Sequence, residues 1–127
     1  MNDQLKAAEA ELASIASTIH AIPLGPLAPI VEGGFSAMKK TEWIVCGPRE
    51  RIGAVLRGAN VARLADGNAG ARPYKIAPTS DAPGSRALHA VGLAAGTGQP
   101  VLCFLGSASV ASGAFHEALN ALSLIHI

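Results

Sequence analysis

VLCFLGSASVASGAFHEALN, residues Val101–Asn120, reads as a strand, a turn of small residues and a helix. Val101–Leu105 is an apolar run closed by Pro100 before it and Gly106 after it. A short run with those flanks predicts a fully buried strand, of the kind found in a parallel sheet covered on both faces. Gly106, Ser107, Ala108 and Ser109 supply a turn of little bulk. From Ser112 onward Phe115, Ala118, Leu119 and Leu122 recur at helical spacing. A turn at the carboxyl end of a strand and ahead of a helix is where open α/β sheets hold ligands. Backbone N–H groups at the helix start are placed there to face an anion.

Upstream, Gly84–Ala95 predicts an Ala- and Gly-rich helix with Ser85 as its cap, and Gly96, Gly98 and Pro100 turn the chain into the strand. Trp43–Cys46 predicts a second strand. Arg49–Leu56 predicts a helix with Ile52, Val55 and Leu56 inward and Gly58 as its stop. Its charges, Arg49, Glu50 and Arg51, read alone as a solvated helix start. Asp3–Ile22 carries Leu5, Ala8, Leu12, Ile15 and Ile19 on one stripe, with Asp3 as N-cap. That helix either packs on its own domain or serves a partner, and the first is the commoner arrangement. Pro23, Gly25, Pro26 and Pro29 predict a stiff, extended connection after it. Ala65–Ala82 predicts a loop broken by Gly67, Gly70, Pro73 and Pro78.

Three ordered segments carry a resemblance: Glu42–Gly58 (EWIVCGPRERIGAVLRG), Pro83–Gly96 (PGSRALHAVGLAAG) and the GSASVASGAFHEALN of Gly106–Asn120. Together they resemble the alpha subunit of thiamine-diphosphate-dependent 2-oxo acid dehydrogenases, the decarboxylating component of the pyruvate and branched-chain complexes. The likeness spans about Ala37–Ala121, and three motifs in order are more specific than one. It implies an α/β three-layer sandwich with a mostly parallel sheet, incomplete at this length. It implies thiamine diphosphate as cofactor, held through Mg²⁺, with a beta subunit and a lipoyl-carrying component as partners in an oligomer.

Carried over position by position, the resemblance implies that Arg49, Gly84, Arg86, Gly106, Ser107 and Ala108 bind cofactor and that His89 is catalytic. Ser107 and Ala108 stand where the family has Asp and Gly, and that Asp is a metal ligand. A neutral hydroxyl is a poor ligand for a hard divalent cation, so the resemblance implies a degenerate metal motif and a chain inactive by itself. A non-catalytic subunit or binding module that has lost metal and cofactor is the alternative. The implied organisation is a helix over 1–22, a Pro/Gly-rich connection over 23–36, a cofactor-binding-like core over 37–121 and a truncated or non-native tail over 122–127.

The remaining sequence mainly excludes. At 127 residues the chain suits one domain, and half of it is hydrophobic, enough for a core. A net charge of +1 gives no electrostatic case for nucleic acid or a membrane surface. Cys46 and Cys103 sit in apolar runs and read as buried free thiols, which with the absence of a signal pattern leads to the cytoplasm as expectation. Gly-Lys-Ser/Thr, Cys-x-x-Cys and His-Glu-x-x-His motifs are missing, and His20, His89, His116 and His126 have no zinc-site spacing.

Overall fold

A computed structural model describes residues 2–15, 23–78 and 82–125. Helix α1 (Asp3–Ile15) buries Leu5, Ala8 and Leu12 as its periodicity requires. The expected residues 16–22, Ile19 among them, lie outside the described residues. The cap is Asn2 rather than Asp3: Gln4 N–H donates to Asn2 Oδ1 at 2.8 Å, and Asp3 is the first helical residue. A carboxylate there still faces the positive end of the helix dipole. This helix packs on its own chain, where Gln4 Nε2 donates to Val55 O at 3.0 Å and Glu9 Oε1 accepts from Leu24 N–H at 2.6 Å.

The connection expected to be extended is helical instead. A 3-10 turn (Gly25–Leu27) leads straight into α2 (Ala28–Ala37), which buries Ala28, Val31 and Phe35. Pro26 and Pro29 stand in first turns, where the missing N–H would have no helical acceptor and the fixed φ helps. Proline here starts helices rather than breaking them.

Strand β1 (Trp43–Val45) pairs in parallel with β2 (Val101–Cys103), with Ile44 opposite Leu102. On its other side Ile44 bridges Ile76: Ile44 N–H donates to Lys75 O and Ala77 N–H to Ile44 O, both at 2.9 Å. The centre of the sheet is therefore β1. The expectation of a fully buried strand at Val101–Leu105 is corrected, since all five residues are half-buried. Among the described residues β2 has a strand on one side alone.

The Leu102 and Phe104 face of β2 meets α2. A Cβ on Gly34 would lie 2.8 Å from the Phe104 ring, and Phe104 stacks on Phe35 with centroids 6.0 Å apart. The opposite face meets α5 (Arg86–Thr97), which packs on both strands, and α6 (Gly113–Ile125) packs on α5. The result is a mostly helical chain around a small parallel sheet. No helix among the described residues is long and apolar enough to cross a membrane.

The charged helix start becomes a 3-10 helix over Glu50–Arg57, ended by Gly58 at φ 94°. Three residues per turn eclipse positions i and i+3, so Arg51, Ala54 and Arg57 share a face, and all three are buried. Arg51 is 3% exposed and Arg57 6%, which corrects the solvated reading for this segment beyond Arg49. Glycine at position 53 fits here, because a Cβ would collide with the edge of the Phe35 ring. Short helix α3 (Val61–Ala65) precedes the expected loop, within which helix α4 (Asn68–Ala71) and a 3-10 turn (Arg72–Tyr74) form, and Ile76 and Ala77 are buried.

Candidate functional site

Parallel pairing puts the carboxyl ends of β1 and β2 on the same edge of the sheet, and three turns leave or enter there. Cys46, Gly47 and Pro48 follow β1. The 3-10 turn Pro83–Ser85 opens α5. The bend from Gly106 runs into a 3-10 helix (Ser107–Ala111) ahead of α6. The second and third turns pack against each other, and a Cβ on Gly84 would lie 2.6 Å from Ser112 Oγ.

Arg86 ties the first turn to the second. A Cβ on Gly47 would lie 2.8 and 2.9 Å from its terminal nitrogens and 2.7 Å from Glu50 Oε2. Glu50 is engaged locally, accepting from Gly47 N–H at 2.7 Å. Arg86 Nε is buried without a hydrogen-bond partner among the described residues, and so is Ser109 Oγ. The cluster thus holds one guanidinium with a donor to spare and one carboxylate bonded to the Gly47 N–H.

Cys46 is fully buried beneath this cluster, and burial, with Glu50 adding to it, pushes its thiol from 9.0 up to about 12. Burial likewise raises Cys103 to about 11, with Arg86 opposing. Both are free thiols, neutral near neutral pH; Cys46 is buried as its apolar run predicts, whereas Cys103 is half-buried. Below pH 9.0 the Cys46 thiol is protonated folded or unfolded and its contribution to stability is complete. Between 9.0 and about 12 only the unfolded chain releases the proton, so stability falls as pH rises. Urea denaturation at about pH 8 and about pH 10.5 should show wild type losing about 2 kcal/mol more than Cys46→Ala. Equal losses would contradict this.

The positions singled out in the sequence divide here. Gly84 and Arg86 are in the cluster. Gly106, Ser107 and Ala108 form the neighbouring bend and are exposed, with no side-chain hydrogen bond from Ser107 among the described residues. Arg49 opens its 3-10 helix but is exposed and makes no side-chain hydrogen bond there, so the guanidinium inside the cluster is Arg86. His89 is exposed on α5 and makes no hydrogen bond or ion pair among the described residues. Ser85 does not cap α5; its Oγ donates to Ala82 O at 2.8 Å.

The anion-facing helix start expected at the bend is also displaced. Five 3-10 residues intervene, and α6 begins at Gly113 with Ser112 Oγ accepting from Phe115 N–H at 3.3 Å. Gly47 and Ser112 were not selected from the sequence, and Glu50 was read there as part of a solvated helix start. The Gly-Pro after a strand was the available signal for the first of them.

Alongside lies an apolar groove of about 740 Å³ between α5, α6 and β2, beginning at Ala87, one residue after Arg86. Val101, Cys103, Leu105, Leu119 and Leu122 line it, and no charged side chain does. Among the described residues no group of three His, Cys, Asp or Glu is placed to hold a metal ion. No family model, curated protein or solved structure matches the chain.

Proposed function

We propose that this chain is a fragment or degenerate relative of the alpha subunit of thiamine-diphosphate-dependent 2-oxo acid dehydrogenases, non-catalytic by itself. On this reading the helices on both faces of the parallel strands are the remnant of that family's three-layer sandwich. The protein is cytoplasmic and oligomeric, with a beta subunit and a lipoyl-carrying component as its partners. The coenzyme would supply the decarboxylating chemistry, and the protein's part is to bind and orient it. What supports the reading is the meeting of the resembling segments at one sheet edge, with Arg86 against Gly47 and Gly84 against Ser112.

The donor set decides what this site can hold. A guanidinium fork suits diphosphate oxygens, and Arg86 offers one with an unpartnered Nε. Magnesium does not fit. Ser107 supplies a neutral hydroxyl, and among the described residues no group of three His, Cys, Asp or Glu is placed to hold a cation. No metal-assisted step follows from these residues.

Calorimetric titration of the chain with thiamine diphosphate, in magnesium and in chelator, tests this. The reading expects magnesium to make no difference. Tight, magnesium-dependent binding would overturn it.

A further inference from the structure

A diphosphate carries several negative charges, and a site that holds one must meet them with positive charge. Magnesium does not fit the donors at this sheet edge. The charge has to come from the chain's own side chains.

Two arginine nitrogens are buried without a hydrogen-bond partner among the described residues, Arg57 Nε and Arg86 Nε. Their situations differ. Arg57 still donates from its Nη groups to the carbonyls of Glu42, Tyr74 and Lys39. Arg86 makes no hydrogen bond among the described residues, and no ion pair joins it to Glu50, although both side chains lie against Gly47. A guanidinium stays ionised at any ordinary pH, and half-burying one without a partner is unfavourable. An anion would complete it.

The surroundings favour that anion. Gly47 has no Cβ where the guanidinium nitrogens lie. Helix α5 starts at Arg86 and runs for 12 residues, and Ser85 makes no side-chain cap bond to it. The positive end of the helix dipole is therefore at the same turn. Ser109 Oγ, on the turn that packs against Pro83–Ser85, is also buried and unpartnered among the described residues.

We propose that Arg86 takes the place of the metal ion, so that the site holds a diphosphate group through this guanidinium without a divalent cation. The inference deepens the proposed function and rests on it for reading this edge as a cofactor site. Arg86 is the binding residue, and Gly47 is a positioning residue that leaves room for it. Glu50 works against the ligand: its carboxylate accepts from Gly47 N–H, and its charge repels an anion beside Arg86.

Calorimetric titration of the full chain with inorganic pyrophosphate in chelator is the test. The expected result is saturable binding, weakened about tenfold or more in Arg86→Gln, which removes the charge and the Nε donor. Glu50→Gln keeps an acceptor for Gly47 N–H and removes the opposing charge, so it should tighten binding; it decides the matter if Arg86→Gln does not fold. No binding in chelator, equal affinity in wild type and Arg86→Gln, or an affinity that Glu50→Gln leaves unchanged or weakens would overturn the proposal. Competition separates it from the family reading. Pyrophosphate held through Arg86 but not displaced by thiamine diphosphate would sink the family reading and leave the Arg86 site standing. Thiamine diphosphate bound equally by wild type and Arg86→Gln would do the reverse.

Discussion

Arg57→Met should lower the free energy of unfolding by about 3 kcal/mol, because three part-buried carbonyls lose their guanidinium donor at about 1 kcal/mol or more each. Arg57 Nη1 donates to Glu42 O at 2.8 Å and Tyr74 O at 3.0 Å, and Nη2 donates to Lys39 O at 3.1 Å. The side chain joins the entry of β1 to the segment that delivers Ile76, and its guanidinium lies 5.6 Å from the Phe35 ring centroid. Methionine keeps the packing of the stem but none of the donors. Burial lowers the Arg57 pKa, with Glu42 opposing, and the buried Nε has no partner among the described residues. The net loss is therefore smaller than three charged hydrogen bonds would suggest. Urea denaturation measures it; a change below about 0.5 kcal/mol, as for an ordinary surface substitution, would mean the three carbonyls are not held as described.

Ile44→Ala should cost about 2–5 kcal/mol, the range for truncating a large aliphatic side chain in a core. Ile44 is fully buried at the centre of the strands, bridging Ile76 on one side and pairing with Leu102 on the other. Leu102→Ala on the half-buried strand β2 should cost distinctly less. If the two variants have equal denaturation midpoints at equal slope, β1 is not the central strand.

That contrast marks what the sequence made legible. Both strands, the small-residue bend and the helices over α1, α5 and α6 follow from apolar spacing and from Gly and Pro punctuation. Rank within the sheet does not. Val101–Leu105 is the longer apolar run, yet among the described residues it has a strand on one side alone, because run length reports hydrophobicity and not the number of neighbours. Ile76 and Ala77 contribute a bridge too short to show any period.

The buried arginines were hidden for a related reason. Arg51 and Arg57 share a face in a three-residue repeat, whereas an α-helical reading of the same segment scatters them. At the candidate site, Gly84 and Arg86 were legible through the family likeness, but Arg49 and Arg86 could be ranked only once Gly47 was seen beneath the second. His89 resembles a pocket residue in sequence, but it is exposed on α5.

The proposed reading puts Ser107 where the resembling family has a magnesium-holding carboxylate. Thiamine diphosphate affinity of Ser107→Asp, followed calorimetrically as magnesium is raised, addresses that assignment most directly. The account predicts that the substitution confers a magnesium-dependent gain of about tenfold, or 1.4 kcal/mol, that wild type lacks. An affinity as indifferent to magnesium in Ser107→Asp as in wild type would contradict it.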